Sequence, residues 1–238
     1  MNSLRFIGYS FVESATQSKS FVEAGSTFPL GPNLRPQCSS EQTRQTSRSR
    51  RYNFSPVMQM GRYALVAYLK SPAGEFVEKL RRELHPDLPH MAAHLSILPP
   101  RRLRGSESAA LKVLERICGE EEPFEVSLGP VETFIPVTPT VFIRVETAAG
   151  HMSDLHRKLN TAELQCKEEW PYIPHLTIVK MGTEPPAQAA FEIARQRWQN
   201  YSGSRRILLE RLTFVREASP NCWLDLAPVQ LGQRLVSR

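Results

Sequence analysis

The sequence predicts an α+β protein made of two related lobes of mostly antiparallel sheet. Two observations predict this class. From about residue 58 onward, segments with strand-like and helix-like apolar spacing follow one another along the chain. Within that stretch the order helix, histidine-bearing strand, helix occurs twice at comparable spacing, which indicates an internal repeat. A chain of 238 residues is long enough for one generous domain of this kind or two small ones.

The first repeat is predicted as strand, helix, strand, helix. Its elements are, in order, a strand at Tyr63–Leu69, a helix opened by Ser71-Pro72 and ended before Pro86, a strand at His94–Leu98, and a helix from Ser106 capped by Gly119. The helices are predicted from apolar residues at three- and four-residue spacing, such as Val77, Leu80 and Leu84. We expect Pro99-Pro100 to stop the second strand.

The second repeat is preceded by strands and followed by strands. The predicted elements are, in order, strands at Phe124–Leu128, Val131–Phe134 and Val141–Val145, a helix after Gly150, a strand at His175–Val179, a helix starting near Pro185-Pro186, and strands at Ile207–Val215 and Cys222–Leu226. We expect the first two of these strands to be separate and joined at Gly129-Pro130.

Residues 1–57 differ in composition from the rest of the chain. They are rich in Ser, Thr, Gln and Arg and show neither helical nor alternating periodicity. Such a segment cannot bury enough apolar surface to offset the entropy of ordering it. We therefore predict a disordered tail at 1–57 and a folded domain at 58–238. A native product that starts at Met58 or Met60 is an open hypothesis, because both directly precede the first patterned segment.

The net charge is +6, from 30 Lys and Arg against 24 Asp and Glu, which taken alone suggests an anionic partner such as nucleic acid. Most of this charge lies in the tail, where residues 1–57 hold seven basic and three acidic residues. The other 181 residues hold 23 basic and 21 acidic residues. The overall charge therefore says little about the partner of the folded domain.

Targeting signals and membrane spans are not predicted. No apolar run approaches the about 20 residues that cross a bilayer, and the stretch Phe6–Val12 is too short and polar for a secretory signal. Four cysteines lie far apart without a Cys-x-x-Cys pair, which is typical of a protein of the reducing cytosol. We expect a cytoplasmic protein without a membrane partner, and a monomer.

Two short segments carry the functional signal, His94-Leu-Ser-Ile-Leu98 and His175-Leu-Thr-Ile-Val179. Side chains of a strand alternate between its two faces. His94 and Ser96 are therefore expected on one face, about 6–7 Å apart along the strand, with the apolar residues directed to a helix-covered core. His175 and Thr177 repeat the arrangement. Two such strands facing each other would place two imidazoles and two hydroxyls around one small cavity.

This set of groups fits attack on a phosphodiester. A neutral histidine accepts a proton from the nucleophile, and a protonated histidine delivers one to the leaving oxygen. Histidine suits both tasks because its ordinary pKa of about 6.5 lets either form exist near neutrality. The hydroxyls can donate hydrogen bonds to the phosphate oxygens on which charge accumulates. The scheme needs neither a metal nor another cofactor.

Other histidines are assigned no function. A single histidine on a buried strand is more often a hydrogen-bonded core residue than a catalyst, but two matching segments in matching positions favour a site. His85, His90 and His94 have a spacing that could suggest metal ligands, yet no carboxylate or cysteine completes a familiar metal motif. His151 and His156 stand near a polar helix start and are expected to be solvated.

The paired segments resemble the His-x-Ser/Thr-x signatures of the 2H phosphoesterase superfamily, and within it the bacterial 2′-5′ RNA ligase and RNA 2′,3′-cyclic phosphodiesterase branch. The similarity covers residues of about 60–228. It implies a bilobal α+β fold with outer helices around a central cleft. It also implies hydrolysis of 2′,3′-cyclic phosphates at RNA ends without metal or ATP, with 2′-5′ end joining as the reverse-type reaction.

The resemblance implies roles for the matching residues. His94 would be the general acid and His175 the general base, and Ser96 and Thr177 would hold the phosphate. Independently of the resemblance, position next to the two motifs predicts three further contacts with substrate. Arg101 and Lys180 are predicted as partners of phosphate, with a solvated loop as the alternative. Tyr172 is predicted as a stacking partner of a base, with packing in the core or between the lobes as the alternative. Pro99-Pro100 replaces the continuation common in the ligase-like members, so the loop beside the site differs from theirs.

Two other functions are compatible with the same residues. One is a non-catalytic module that binds RNA or a nucleotide in the cleft without turnover. The other is a phosphodiesterase that acts on a small cyclic nucleotide rather than on RNA. Binding without product formation would indicate the first, and failure of RNA oligomers to compete would indicate the second.

Overall fold

The computed structural model of the chain describes residues 61–85 and 91–233. Within these residues lie eight strands and four α-helices, together with a short 3-10 helix at Ala162–Leu164. In chain order they are β1 (Tyr63–Tyr68), α1 (Pro72–Leu84), β2 (His94–Arg101), α2 (Glu107–Gly119), β3 (Phe124–Thr133), β4 (Thr140–Val145), α3 (Ala149–Leu159), β5 (His175–Lys180), α4 (Glu184–Gln199), β6 (Arg206–Leu209), β7 (Arg211–Ser219) and β8 (Cys222–Gln230). The predicted tail at 1–57 lies outside the described residues.

The strands form one sheet with the order β6-β3-β4-β5-β2-β1-β7-β8, and each described pairing is antiparallel. This order divides into two halves of four strands, β6-β3-β4-β5 and β2-β1-β7-β8. The halves meet where β2 pairs with β5 through a single residue pair, Leu95 with Leu176. We call this junction the seam. The prediction of an α+β fold with mostly antiparallel sheet is confirmed, and its two lobes are the halves of one sheet.

The four helices pack on one face of the sheet. Their apolar residues join the inward residues of the strands in one buried core, with Val77 from α1, Leu114 from α2, Leu155 from α3 and Trp198 from α4 among them. Burial of this kind is the main stabilising contribution to a domain. A smaller apolar cluster, centred on Val66, lies apart from this core. The helix-free face is therefore the face on which a ligand can reach the central strands.

Two prolines do not end β2 as predicted. The strand continues through Pro99 and Pro100 to Arg101, and its register with β1 shifts between the pairs Leu65–Leu98 and Tyr63–Arg101. A bulge leaves residues outside the hydrogen-bonded ladder, so the missing N–H groups of the prolines leave no partner unsatisfied there. The prediction was wrong because the cost of proline depends on the pairing partner.

A second bulge explains why β3 is one strand where two were predicted. Its first half pairs with β6 and its second half with β4, and the register shifts between Leu128 and Val131, around Gly129-Pro130. The chain bends there without leaving the sheet. The predicted strand at Ile207–Val215 shows the opposite error, because Glu210 separates β6 from β7 and the two pair with different halves of the sheet.

α1 lies close to the end of β1. This predicts that alanine substitutions at two helical glycines differ strongly in their effect on the free energy of unfolding. An alanine Cβ at Gly74 would lie 2.0 Å from the carbonyl oxygen of Leu69, whereas one at Gly150 meets nothing within 4 Å. We expect Gly74→Ala to lower the free energy of unfolding by about 1–3 kcal/mol through overpacking. Gly150→Ala, also in a helix, should leave it unchanged or raise it by up to about 1 kcal/mol. Urea unfolding of both variants checks this, and equal effects would contradict it.

Candidate active site

The two histidine segments occupy the central strands of the sheet, as the seam joins β2 to β5. Both segments show the same burial, with the histidine and the hydroxyl residue partly buried and the residues between and after them fully buried. Leu95 and Leu176 direct their side chains into the helix-covered core. His94, Ser96, His175 and Thr177 therefore share the helix-free face.

The register of the seam brings the four side chains together. Because Leu95 pairs with Leu176 in antiparallel orientation, His94 stands level with Thr177 and Ser96 level with His175. The two histidines then form a diagonal pair, whose typical separation is about 7–8 Å. This spacing accommodates a single phosphate between two imidazoles.

Both imidazoles are oriented by the same backbone hydrogen bond. Nδ1 of His94 lies 2.8 Å from the carbonyl oxygen of Ala92, and Nδ1 of His175 lies 2.6 Å from that of Ile173. A carbonyl oxygen only accepts, so Nδ1 is the protonated nitrogen in each ring. Nε2 is therefore the nitrogen of each neutral ring that is available to accept a proton.

Burial lowers the pKa of both histidines. For His94 the pKa falls from 6.5 to about 4, chiefly because desolvation disfavours the charged ring, with smaller contributions from the positive charges of Arg81 and His175. The pKa of His175 is lowered by the same desolvation. Both rings are thus neutral near pH 7 in the unliganded protein. A bound phosphate anion would favour the protonated forms and oppose this shift.

The segment before His94 is held by α1. The carboxylate of Glu78 accepts a hydrogen bond from the backbone N–H of Ala93 at 3.0 Å, and Arg81 donates to the carbonyl of Met91 at 3.1 Å. The two side chains also pair with each other. They fix the backbone whose next carbonyl orients the His94 ring. No sequence signal distinguished them from ordinary polar residues of an amphipathic helix.

Aromatic side chains stand beside each histidine. Phe142 lies next to His175 on the sheet, with 5.2 Å between ring centroids, and Phe134 contacts the same imidazole at the same distance while stacking on Phe142 at 4.1 Å. On the other side, Tyr68 contacts His94 edge-on and donates its hydroxyl to Asp225 at 2.6 Å. These residues were missed because their strands showed only ordinary apolar patterns.

Polar groups available to a ligand include the two hydroxyls. Within the described part of the chain, neither the Ser96 nor the Thr177 hydroxyl has a hydrogen-bond partner, and none is found for the exposed Lys180 ammonium at the end of β5. Arg144 lies opposite His175 in the register and pairs with Glu132. It adds a positive charge next to His175, and no sequence signal distinguished it from an ordinary strand residue.

Arg101 is placed differently from the prediction. Its side chain is only 2% exposed and forms an ion pair with Glu168 at 2.6 Å. It also donates to the side chain of Asn160 and to the carbonyl of Leu164. A guanidinium that is buried and fully engaged cannot reach a substrate, so its predicted role as a phosphate ligand is corrected to a structural one.

Tyr172 and His156 require corrections as well. Tyr172 stacks on His156 with 4.0 Å between ring centroids and donates its hydroxyl to the carbonyl of Ser96 at 2.7 Å, which leaves that face unavailable to a base. His156 is 6% exposed rather than solvated. The sequence contained a signal for the burial of His156. This residue falls on the same helix face as the core residues Met152, Leu155 and Leu159.

Metal clusters and membrane-spanning helices are both missing from residues 61–85 and 91–233. No group of three or more His, Cys, Asp or Glu side chains there is placed to hold a metal ion. No helix in the same ranges has the length and apolar character needed to cross a membrane.

Residues 69–221 match the family model of the 2′-5′ RNA ligase superfamily. The chain belongs to this superfamily. The matched stretch exceeds half of the 238 residues and contains both histidine strands. The family resemblance predicted from the two segments is confirmed.

Relatives of this superfamily member are candidate phosphoesterases of bacteria. One from Oceanobacillus iheyensis is 36% identical over 73 residues, which are 31% of this chain and 42% of that protein. One from Halalkalibacterium halodurans is 24% identical over 117 residues, which are 49% of this chain and 68% of that protein. The chain thus matches less than half the length of the first.

Solved structures of the same fold include TT0787 of Thermus thermophilus and E. coli LigT. TT0787 has a TM-score of 0.50 at 18% identity, covering 72% of this chain and 98% of its own. LigT in its complex with 3′-AMP has a TM-score of 0.50 at 14% identity, covering 74% of this chain and 100% of its own. At these identities the likeness establishes the fold.

Proposed function

We propose that the protein hydrolyses 2′,3′-cyclic phosphates at RNA ends or on nucleotides by acid–base catalysis between His94 and His175. The observation that carries the proposal is the matched orientation of two imidazoles on adjacent central strands, each bound through Nδ1 to the carbonyl two residues earlier. The two strands repeat this hydrogen bond independently, and in each strand the alternation of burial puts the histidine on the same face as a hydroxyl residue. A pair of core histidines would not require this repetition.

The reaction uses one proton on the histidine pair. The neutral ring removes a proton from water as the water oxygen forms a bond to phosphorus. The protonated ring donates its proton to the ribose oxygen as the bond between that oxygen and phosphorus breaks. The products are a phosphomonoester and a free ribose hydroxyl, and the two rings exchange protonation states. Proton exchange with solvent restores the starting state.

The assignment of acid and base follows the family. By that resemblance His94 donates to the leaving oxygen and His175 activates water. The lowered pKa of both rings assigns neither role, since a bound phosphate raises both. The Ser96 and Thr177 hydroxyls donate to the non-bridging phosphate oxygens, where negative charge accumulates. Lys180 adds positive charge near the phosphate.

The nucleotide itself would lie against the aromatic side chains. Phe134 is partly exposed beside His175 and is backed by the buried ring of Phe142, and such an aromatic surface can pack against ribose or base. The structure of LigT with 3′-AMP supports a nucleotide as the ligand class. The superfamily match supports 2′-5′ joining of RNA ends as a second activity of the same site.

The pH dependence of kcat/KM tests the two-histidine scheme. The active form carries one proton on the pair, and burial lowers both pKa values below 6.5. Above 6.5 both rings of the free protein lose their protons, so kcat/KM should peak between the lower pKa of about 4 and 6.5 and fall as the pH rises further. The optimum of kcat should lie at a higher pH, because bound phosphate raises both values. A kcat/KM profile that is flat or peaks on the alkaline side of neutrality would contradict the scheme.

Competition experiments distinguish the proposed function from the two alternatives. The full chain is incubated with 2′,3′-cyclic AMP and with an RNA oligomer that ends in a 2′,3′-cyclic phosphate, and products are separated by chromatography. Hydrolysis of both, with mutual competition, is expected. Binding of both without product would indicate a non-catalytic module. Hydrolysis of the mononucleotide without competition by RNA would indicate a small-molecule phosphodiesterase.

A further inference from the structure

A polar cluster of two buried and two partly buried side chains lies on the helix side of β2, directly behind the candidate site. It consists of Arg101, His156, Glu168 and Tyr172, and we call it the seam clamp. Its members come from β2, from α3 and from the connection between α3 and β5. The proposed reaction uses none of these side chains, although their mutual hydrogen bonds and ring stacking indicate a fixed geometry rather than incidental surface contacts.

Glu168 is the hub of the seam clamp. One of its carboxylate oxygens accepts from Nη2 of Arg101 at 2.6 Å, and the other lies 2.9 Å from Nε2 of His156. The opposite nitrogen of His156, Nδ1, donates to the carbonyl of Ile97 at 2.8 Å. Tyr172 stacks on the His156 ring and donates to the carbonyl of Ser96. Two consecutive carbonyls of β2 are therefore bound by side chains from the other half of the molecule.

The location of these bonds matters because the seam is sparsely paired. β2 pairs with its other neighbour, β1, at five residues, but with β5 at one. Each half of the sheet carries one of the two histidines. The separation of the histidines thus depends on whatever holds β2 against the second half. The seam clamp supplies two hydrogen bonds between those halves at Ser96 and Ile97, one or two residues from Leu95, and an ion pair at Arg101 at the end of β2.

We infer that the seam clamp positions His94 and Ser96 relative to His175, with Tyr172 and Glu168 as positioning residues. The inference rests on the proposed function for its catalytic consequence. Tyr172 holds the peptide group of the residue that carries the first hydroxyl, so its loss moves that hydroxyl and the neighbouring imidazole. Displacements of about 1 Å can cost about 100-fold in rate when two groups must act together.

The test compares two chemically identical substitutions. Tyr172→Phe removes the hydroxyl that binds Ser96 and keeps the stacked ring. Tyr201→Phe is the matched control, because Tyr201 also stacks on a buried ring, that of Trp198, and its buried hydroxyl has no hydrogen-bond partner within the described residues. We expect Tyr172→Phe to lower kcat about 10- to 100-fold with KM nearly unchanged, and Tyr201→Phe to match wild type. Glu168→Gln should also lower kcat.

Hydrogen–deuterium exchange provides a readout that does not depend on turnover. Amides of residues 94–98 should exchange faster in Tyr172→Phe than in wild type, while those of 211–219 should not change. Unchanged exchange at 94–98, or equal kcat in the Tyr172 and Tyr201 variants, would overturn the inference. Absence of hydrolytic activity in the wild-type protein would instead refute the proposed function. The positioning role of the seam clamp would then be tested by the exchange rates at 94–98 alone.

Discussion

Replacing either His94 or His175 with alanine is expected to lower kcat/KM for a 2′,3′-cyclic nucleotide by about 10²–10⁴-fold. Each ring performs one of the two proton transfers, so neither can compensate for loss of the other. The double variant should be only slightly less active than the less active of the two single variants. The effects on rate of substituting residues that act as a unit are not additive. The measurement is a steady-state rate for each purified variant.

His151→Ala is the matched control for these two variants. His151 lies on α3, stacks on Phe124 and pairs with Glu121, away from the central strands. The substitution removes an imidazole without touching the candidate site, and wild-type activity is expected. Full activity of His94→Ala or of His175→Ala would show that the pair is structural.

The second large effect concerns the hydroxyls. We expect Ser96→Ala and Thr177→Val each to lower kcat by about 10²–10³-fold, the typical loss when one donor to a developing oxyanion is removed. KM should change less, since the charge on the phosphate oxygens is greatest in the transition state. Thr177→Ser keeps the donor and should recover most of the activity. Equal activity of Thr177→Val and Thr177→Ser would exclude the hydroxyl from this role.

The histidine strands were predictable because their signal is local. Alternation along His94–Leu98 and His175–Val179 determines which side chains share a face, and the structure reproduces that alternation in both. The helices were predictable for a similar reason, as apolar spacing and caps such as Ser71 and Ser106 act within one or two turns. Local rules sufficed wherever the physical cause was itself local.

The errors arose where pairing decides the outcome. Pro99, Pro100 and Pro130 lie in or beside bulges of the sheet. Only the register with the neighbouring strand shows that no ladder hydrogen bond is lost through their missing N–H groups. The strand order could not be predicted for the same reason. That β2 and β5 adjoin at the centre, and that they share one residue pair, depends on contacts between residues far apart in the chain, Leu95 and Leu176.

The roles of Arg101 and Tyr172 show a further limit. Both follow or precede a histidine motif closely, which suggested contact with substrate. Arg101 instead pairs with Glu168, 67 positions later, and Tyr172 bonds to Ser96, 76 positions earlier. A basic or aromatic residue near a site in sequence can face the site or support it from behind, and its hydrogen-bond and stacking partners in the fold distinguish the two cases.

The central claim is tested most directly by following wild-type protein and 2′,3′-cyclic AMP by phosphorus NMR in the presence of excess EDTA. Hydrolysis by the two histidines predicts that the signal of the cyclic phosphodiester is replaced by that of a phosphomonoester, at a rate that EDTA does not change. A cyclic phosphate signal that persists although the nucleotide binds, or turnover that stops on chelation, would contradict hydrolysis by two histidines.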